Sequence, residues 1–449
     1  MTHQPSLLSR QGRELLDRLA AEHVDPDRAL RLAESLRGSY PPDLVAAALT
    51  QQALRTAASA KFSRAARMLF TRPGLEQASS ERTARHSAAR FAAARLVADL
   101  CCGIGGNLTA LATATAAHSA GPAVLGVDRD LTALEFARHN AAVYGAAGHL
   151  AVVCADVREL PLARMVDGVF IDPARRAGGA RLRGGRSDPP LDWCLQLAAT
   201  VPSVCVKAAP GIDRALVPAG WEIEFLAVGR SLKEALLWSP ALATTGRRAT
   251  VLPSDTGLPR DTVFPLDAGL ARDAGLPGSG AGAAAGGTVP VAGDAQPVAG
   301  DALRPAGDTL ITAAGPPVPV AAPGAFLLDP NPAVTRAGLV QELGRQLGAW
   351  QIDPMIAFLS ADRPLPTPFG RLLRVLESAP WHEKDFARRL RALGVGFADI
   401  RRRGLAGDVE QIRRRLGLQG DASAVIVITR VNDRPWGLIC TAADNGNPR

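Results

Sequence analysis

Apolar positions along the chain follow two spacings, one typical of helices and one typical of buried strands. From about residue 15 to residue 95 they recur every three or four residues, as in Leu15, Leu16 and Leu19, which predicts a helical N-terminal module. Beyond residue 95, short apolar runs alternate with helical patterns, and this alternation indicates a parallel sheet. The strands predicted from these runs are Leu96–Leu100, Val124–Val127, Leu150–Cys154, Gly168–Ile171 and Ser203–Val206.

The alternation changes after Pro210. Two runs, Glu222–Val228 and Glu234–Trp238, flank a turn at Gly229 and predict an antiparallel hairpin. Arg247–Leu252 predicts one more strand. We therefore expect an α/β domain with a Rossmann-like sheet over residues 91–252, preceded by the helical module in residues 1–90.

The composition changes again after residue 252. Residues 253–323 are rich in glycine, alanine, proline and aspartate, and Ala-Gly-Asp recurs at Ala292, Ala299 and Ala306. Without an apolar stripe this repeat does not predict a coiled coil, so a disordered linker is the better interpretation. Strand and helix patterns resume near Phe326, which predicts a separate α+β C-terminal domain over residues 324–449.

Composition narrows the classes of protein to consider. The 449 residues are 47% hydrophobic and 21% charged, as expected for a globular protein of two or three domains. No apolar run approaches the roughly 20 residues of a membrane span, and the six cysteines form no CxxC pair. We expect a cytoplasmic protein with no membrane partner and no metal.

The net charge of +8 favours anionic partners. Only four of the 51 basic residues are lysines, and the planar guanidinium of arginine suits phosphate and base-edge contacts. The strong preference for arginine also has a second explanation, a coding bias unrelated to binding.

A glycine-rich loop follows the first predicted strand, in the run Val97–Gly106. Three glycines, Gly103, Gly105 and Gly106, come between this strand and a helical pattern. Glycine permits positive φ and lets a ligand approach the backbone closely. A strand, a glycine loop and a helix in this order are typical of nucleotide-like ligand sites in α/β proteins, although such turns also occur as plain structure.

Aspartates end several of the predicted strands, at the edge where open α/β sheets bind ligands. Asp128 lies 25 residues after Gly103, as expected for a carboxylate that accepts both ribose hydroxyls. Asp156 is predicted to accept from an adenine amino group, and Asp99 to orient a cationic amino group. The alternative for each single aspartate is a helix cap.

A dinucleotide dehydrogenase is the obvious rival to this interpretation. Its fingerprint requires a third glycine, and this chain has Leu108 at that position. S-adenosylmethionine has no pyrophosphate that would need such a glycine, so the sequence favours the methyl donor.

Residues 97–173 resemble the catalytic core of class I S-adenosylmethionine-dependent methyltransferases that act on RNA. The runs DLCCGIGGN, GVD and ARHNAAVYG are similar to the trimethylguanosine synthase family, which methylates guanine N2. In the run IDPAR, Asp172 and Pro173 match the position where that group holds the target amine. Ala174 and Arg175 depart from its second proline and its aromatic residue.

The whole chain except the linker resembles bacterial methyltransferases with a THUMP-like C-terminal domain. The resemblance implies a class I methyltransferase sheet, S-adenosylmethionine as cofactor and structured RNA, such as tRNA or rRNA, as partner. A methyltransferase of proteins or small molecules and a non-catalytic RNA-binding protein stay open as alternatives. The expected catalytic residues are Asp172, Pro173 and Arg175, and the expected cofactor-binding residues are Asp99, Cys101, Gly103, Gly105, Asp128 and Asp156.

Three arginine-rich segments are candidate functional surfaces, the first beside the cofactor loop and the other two toward RNA, and a solvated basic surface is the alternative for the first two. The first, between predicted helices and the glycine loop, contains Arg90. The second is the loop 175–186, interpreted as a mobile substrate loop. The third lies between Trp381 and Leu416, where Arg401, Arg402 and Arg403 are expected to contact phosphates.

Overall fold

We analysed a computed structural model of the chain. It describes residues 7–21, 32–115, 124–174, 176–177, 180–181, 187–254 and 307–443. Within these ranges, no helix has both the length and the apolar character that a membrane span needs. The helices are α1 (Arg10–Ala21), α2 (Pro42–Ala58), α3 (Arg72–Gln77), α4 (Glu81–Ala88), α5 (Gly106–Thr115), α6 (Leu131–Val143), α7 (Leu191–Gln196), α8 (Pro332–Ala337), α9 (Val340–Leu347), α10 (Glu383–Ala392) and α11 (Val409–Leu416).

The first sheet carries the predicted α/β pattern. Its strands are β1 (Val97–Leu100), β2 (Val124–Asp128), β3 (Leu150–Cys154), β4 (Gly168–Ile171), β5 (Ser203–Ala208), β6 (Glu222–Val228), β7 (Ser231–Trp238), β8 (Arg247–Leu252) and β9 (Asp308–Ile311). The order across the sheet is β9-β8-β6-β7-β5-β4-β1-β2-β3. Because β7 and β9 are antiparallel to their neighbours, the sheet is mixed. The expected Rossmann-like α/β fold, with its terminal hairpin β6–β7, is confirmed.

The strand β9 corrects the predicted boundary of the linker. It pairs antiparallel with β8 and buries Leu310, so residues 307–323 are ordered rather than disordered. A four-residue strand among small and polar residues is too short for its periodicity to stand out. Residues 255–306 lie outside the described part of the chain.

The C-terminal sheet is separate and mostly antiparallel. Its strands are β10 (Phe326–Pro330), β11 (Trp350–Gln351), β12 (Leu359–Ala361), β13 (Gly370–Pro380), β14 (Val395–Arg402), β15 (Ala422–Val431) and β16 (Arg434–Ala442). The order is β11-β12-β10-β13-β16-β15-β14, and only β14 and β15 run parallel. The predicted α+β character of this region is therefore confirmed.

The two sheets share one hydrophobic core although they are separate sheets. Helix α8 packs on β6 and β8, so that Val334 and Ala337 of α8 lie in the same buried cluster as Phe225 and Ala249 of the first sheet. The side chain of Asn331 also donates to the carbonyl of Gly229 at 2.8 Å. The C-terminal region is thus held firmly against the catalytic sheet.

Helix α4 docks on the first sheet through a buried ionic network. His86 Nε2 lies 2.8 Å from Glu224 Oε1, and Trp238 Nε1 donates to Glu224 Oε2 at 3.0 Å. Arg90, just after α4, pairs with Glu222 at 2.7 Å and stacks 4.2 Å over the Trp238 ring. Arg90 therefore belongs neither to the surface predicted beside the cofactor loop nor to a solvated helix face, because its guanidinium is used in docking the N-terminal module.

Candidate active site

The glycine loop after β1 has the strained backbone that its sequence predicts. Cys101, Gly103 and Gly105 all have positive φ, at 62°, 52° and 84°. A Cβ on Gly105 would come within 2.9 Å of the Cβ of Ala137, whereas a Cβ on Gly103 would meet nothing within 4 Å. The loop therefore packs tightly against α6 at Gly105 and is open at Gly103, where a ligand can approach the backbone.

Cys101 is notable because it is not a glycine. The left-handed conformation is strained for a residue with a Cβ, and such strain is retained mainly at functional sites. Burial raises the pKa of its thiol, so the group is neutral at physiological pH and is not an activated nucleophile. Its place in the loop fits a backbone contact with a ligand.

Asp99, at the end of β1, is fully buried without a partner. Neither of its carboxyl oxygens accepts a hydrogen bond of standard geometry within the described residues, and the backbone N–H of Leu108 is only the smallest of the influences on its pKa. Burial, and then the negative charges of Asp172 and Asp128, raise the pKa of Asp99 well above its ordinary value. A buried polar group without a partner is costly, so this carboxyl fits a cationic ligand group.

The first turn of α5 adds two more buried polar atoms without partners. These are Asn107 Oδ1 and Thr109 Oγ1. Together with Asp99 they lie where the glycine loop leads into the helix. This concentration of unpaired polar atoms indicates a polar ligand at the loop.

Asp128, at the end of β2, is fixed by the loop that it faces. Its Oδ2 accepts from the backbone N–H of Gly103 at 2.8 Å, and its Oδ1 accepts from the N–H of Asp130 at 3.0 Å. Each oxygen of a carboxylate has two lone pairs, so capacity for two hydroxyl donors is left. The geometry fits the predicted ribose contact.

Asp156 has a different environment. Its two oxygens accept four hydrogen bonds, three from Arg158 and one from Arg129. The side chain of Arg158 is the largest cause that lowers the pKa of Asp156. Because all four lone pairs are used, the predicted contact with an adenine amino group would require an arginine to leave.

Asp172, after β4, is paired with a residue that the sequence analysis did not assign. Lys207 Nζ donates to Asp172 Oδ2 at 2.6 Å and to Ser79 Oγ at 2.8 Å. It also lies 3.6 Å from Glu234, and its own side chain is 7% exposed. The ammonium thus fixes one oxygen of Asp172, while Oδ1 has no hydrogen-bond partner in the described residues.

The segment after Asp172 is closed by backbone pairing. Ala174 and Asp188 exchange two N–H···O bonds of 2.9 Å, and Asp188 also pairs with Arg129 and Arg158. Pro173 is buried between Asp172 and this closure. Arg175 lies outside the described residues, as do the side chains of the arginine-rich loop, so their predicted roles stay predictions.

Asn140 is a second residue whose role the sequence did not predict. It is fully buried on α6, accepts from the N–H of Leu69 at 2.8 Å, and donates to the carbonyls of Leu69 and Ile104 at 2.9 Å. It therefore ties the N-terminal module to the glycine loop. The signal that would have identified it is a polar residue on the apolar face of a predicted helix.

The arginines at the end of β14 are also engaged within the protein. Arg401 and Arg403 both pair with Asp329, which is buried on β10, and Arg230 pairs with the same carboxylate at 3.0 Å. Arg403 further stacks 4.8 Å over the ring of Phe358. The Arg230 pair links the two sheets, whereas Arg401 and Arg403 pair with Asp329 within the C-terminal region. Their predicted contacts with phosphates stay a prediction.

Comparisons with known proteins agree with this site. An S-adenosylmethionine-dependent methyltransferase of Mycobacterium tuberculosis strain H37Rv, not further characterised, is 35% identical over 368 residues, which is 81% of this chain and 85% of the relative. Its counterpart in strain CDC 1551 matches equally well. A crystal structure of a protein described as a methyltransferase from Porphyromonas gingivalis W83 superposes with a TM-score of 0.67 over 96% of this chain and 99% of that one, at 18% identity.

Family models match three segments of the chain. Residues 94–185 match the RNA cap guanine-N2 methyltransferase model, residues 370–442 the THUMP domain-like model, and residues 4–58 a domain of unknown function. The first match contains the glycine loop, Asp99, Asp128 and Asp172. With a relative of this identity aligned over four-fifths of the chain, the protein belongs to the S-adenosylmethionine-dependent methyltransferases, and two of its segments are similar to the guanine-N2 methyltransferase and THUMP domain-like models.

Proposed function

We propose that the protein methylates an exocyclic amine of a base, guanine N2 being the first candidate, in structured RNA. The observation that carries this proposal is the pairing of Asp172 with Lys207, which leaves one carboxylate oxygen to receive an amine. The match to an RNA cap guanine-N2 methyltransferase model over the same residues supports the choice of amine.

The residues of the glycine loop fit the cofactor. Asp99 would pair with the ammonium of its methionine part, the open backbone at Gly103 would accommodate its close approach, and Asp128 would accept from its ribose. S-adenosylmethionine supplies an electrophilic methyl group on a sulfonium, and the sulfur leaves as a neutral thioether when the carbon–sulfur bond breaks.

Asp172 would position the nucleophile. Its Oδ1 accepts one N–H of the amine, so that the nitrogen lone pair points at the methyl carbon, and orientation of this kind supplies much of the rate. The nitrogen forms the new bond to carbon and then loses one proton, which Oδ1 can accept. Lys207 keeps Oδ2 engaged, so the amine meets a carboxylate of fixed orientation.

Mass spectrometry of nucleosides tests the substrate class. Total RNA from a deletion strain and from its parent is incubated with the protein and labelled S-adenosylmethionine. We expect methyl incorporation only into the RNA of the deletion strain, in one nucleoside that the digest identifies. Labelling of proteins or small molecules in the same extract, with none in RNA, would contradict the proposal.

A variant tests the role of Asp172. Asp172→Ala should slow the single-turnover methyl transfer at saturating RNA by about 100-fold, because misplacement of a reacting group by about 1 Å costs that much. RNA affinity should change little, since this contact is made chiefly in the transition state. The exposed Asp192→Ala is the matched control. A parental rate in Asp172→Ala would show that Asp172 is only a strand-end residue.

A further inference from the structure

The concave side of the C-terminal sheet holds a groove that none of the roles described so far explains. It has a volume of 690 Å³ and lies between β14, β15 and α11. Its charged lining consists of Arg371, Arg413, Arg414 and Asp399, so its net charge is positive. Because the sheet curls, Asp399 on the edge strand β14 reaches Arg371 on β13 at 3.1 Å.

One aromatic ring stands in this groove. The side chain of Phe397 is 66% exposed, and it is the only aromatic among the large hydrophobic residues that are exposed in the described structure. Its backbone is held in place, because a Cβ on the preceding Gly396 would come within 1.7 Å of the carbonyl oxygen of Gly420. Strand β14 therefore presents the ring to solvent from a rigid position.

The three arginines around the ring have different partners, and Arg413 lies 3.6 Å from Glu410. Arg413 donates to the carbonyl of Ala398 at 2.7 Å, and Arg371 to Asp399 at 3.1 Å. Each guanidinium has five N–H donors, so these contacts leave donors free for other acceptors. Arg414 is exposed at the rim, where it donates a long hydrogen bond of 3.4 Å to the carbonyl of Glu410.

The groove is connected to the catalytic edge of the first sheet. Asp399 pairs with Arg401, Arg401 with Asp329, and Asp329 with Arg230 in the turn between β6 and β7. Since β6 runs parallel to β4, this turn lies at the same edge as Asp172. Three strand spacings and about six residues of rise put this turn roughly 25 Å from Asp172, a distance that one structured RNA molecule can span.

We infer that this groove binds an unpaired segment of the RNA substrate, with a base stacked on Phe397 and neighbouring phosphates on Arg371 and Arg414. An exposed aromatic with surrounding cations is the arrangement that recognises single-stranded RNA, because a base in a duplex cannot expose its face. The inference rests on the proposed function, and it names the part of the substrate that lies away from the reacting base.

Fluorescence anisotropy with the full chain tests it, using a labelled oligouridylate of about ten nucleotides and an RNA duplex of the same length. Phe397→Ala should weaken oligouridylate binding about tenfold and leave duplex binding unchanged, and Phe397→Trp should restore it. Arg414→Ala should reduce the slope of log affinity against log salt by about 0.7. Exposed Met355→Ala and Arg434→Ala are the matched controls.

Three results would overturn the inference. The first is an oligouridylate affinity that Phe397→Ala leaves unchanged. The second is an equal loss of affinity for the duplex and for the single strand. The third is a dimer of the parent chain that dissociates in Phe397→Ala while the RNA affinity stays the same. Methylation of RNA from the deletion strain, measured with the same Phe397→Ala preparation, keeps the two questions apart. If the parent chain methylates RNA but Phe397→Ala leaves the oligouridylate affinity unchanged, only the inference about the groove is wrong. If the parent chain does not methylate RNA, the proposed function is wrong.

Discussion

Two buried carboxyl groups of the first sheet, Asp99 and Glu224, are both inaccessible to solvent, yet they differ in almost every other respect. Glu224 is hydrogen-bonded to His86, Trp238 and Thr250. Burial alone would raise its pKa, but the charge and hydrogen bond of His86 prevail and lower it to about 2. For Asp99, burial raises the pKa, and the charge of Lys207, which lowers it, does not offset that rise.

This difference in partners distinguishes a structural carboxyl group, Glu224, from a functional one, Asp99, within one sheet. A buried charge whose partners belong to the same chain stabilises the docking of those partners. A buried carboxyl without partners destabilises the chain by itself, and it is retained where a ligand supplies the missing charge. The docking face of β6–β8 is thus complete without cofactor, whereas the loop after β1 is not.

The largest expected effect is on the docking face. Glu224→Ala should lower the free energy of unfolding by about 3–5 kcal/mol, because it leaves the buried His86 and Trp238 nitrogens without an acceptor. Chemical denaturation followed by circular dichroism measures this. Glu135→Ala, an exposed glutamate on α6, should stay within about 0.5 kcal/mol of the parent. If Glu224→Ala lowered the free energy of unfolding by no more than Glu135→Ala does, the contrast between Glu224 and Asp99 would be wrong.

The next effect is expected at Asp99, and it should fall on binding rather than on stability. Asp99→Asn removes the charge that faces the cofactor ammonium, so S-adenosylmethionine should bind at least tenfold more weakly. The melting temperature without cofactor should be equal to or higher than that of the parent, since an uncompensated carboxyl is gone. Isothermal calorimetry and thermal denaturation measure both quantities, with exposed Asp421→Asn as the control. Unchanged cofactor affinity would contradict the assignment.

The sequence predicts features whose residues are neighbours along the chain, and it does not predict contacts between residues that are far apart along the chain. The glycine loop, the strand-end aspartates and the hairpin are local patterns, and their positions in the fold are confirmed, while the ligand roles of the loop and the aspartates stay predictions. Lys207 was missed because its contact with Asp172 follows from the register of β4 against β5, in which Ile171 lies beside Val206. The ion pairs of Arg90 and Arg401 were not predicted for a similar reason, since these carboxylate partners lie more than 70 residues away.

The smallest effect concerns the dependence of stability on pH, and it has opposite signs at the two residues. The pKa of Glu224 is lowered, so its stabilisation is present above its unfolded value of 4.5 and is lost as the pH falls toward about 2. The pKa of Asp99 is raised, so stability falls as the pH rises above 3.8.

Acid titration of two variants separates these contributions. Glu224→Gln should reduce the slope of unfolding free energy between pH 4.5 and 2 by up to about 1.4 kcal/mol per pH unit, the value for one proton. Asp99→Asn should instead remove the fall in stability that begins above pH 3.8. If both variants changed the slope in the same direction, the two carboxyls would not differ in the way described.

The pairing of β8 with β9 determines how well the chain tolerates insertions and deletions between these two strands. Val251 lies directly opposite Asp308, so the chain leaves the sheet and re-enters it one strand spacing away. Closing a longer excursion costs only about 0.6 kcal/mol for each doubling of its length. Insertions, deletions or a fused reporter between these two strands should therefore leave both sheets and the active site in register.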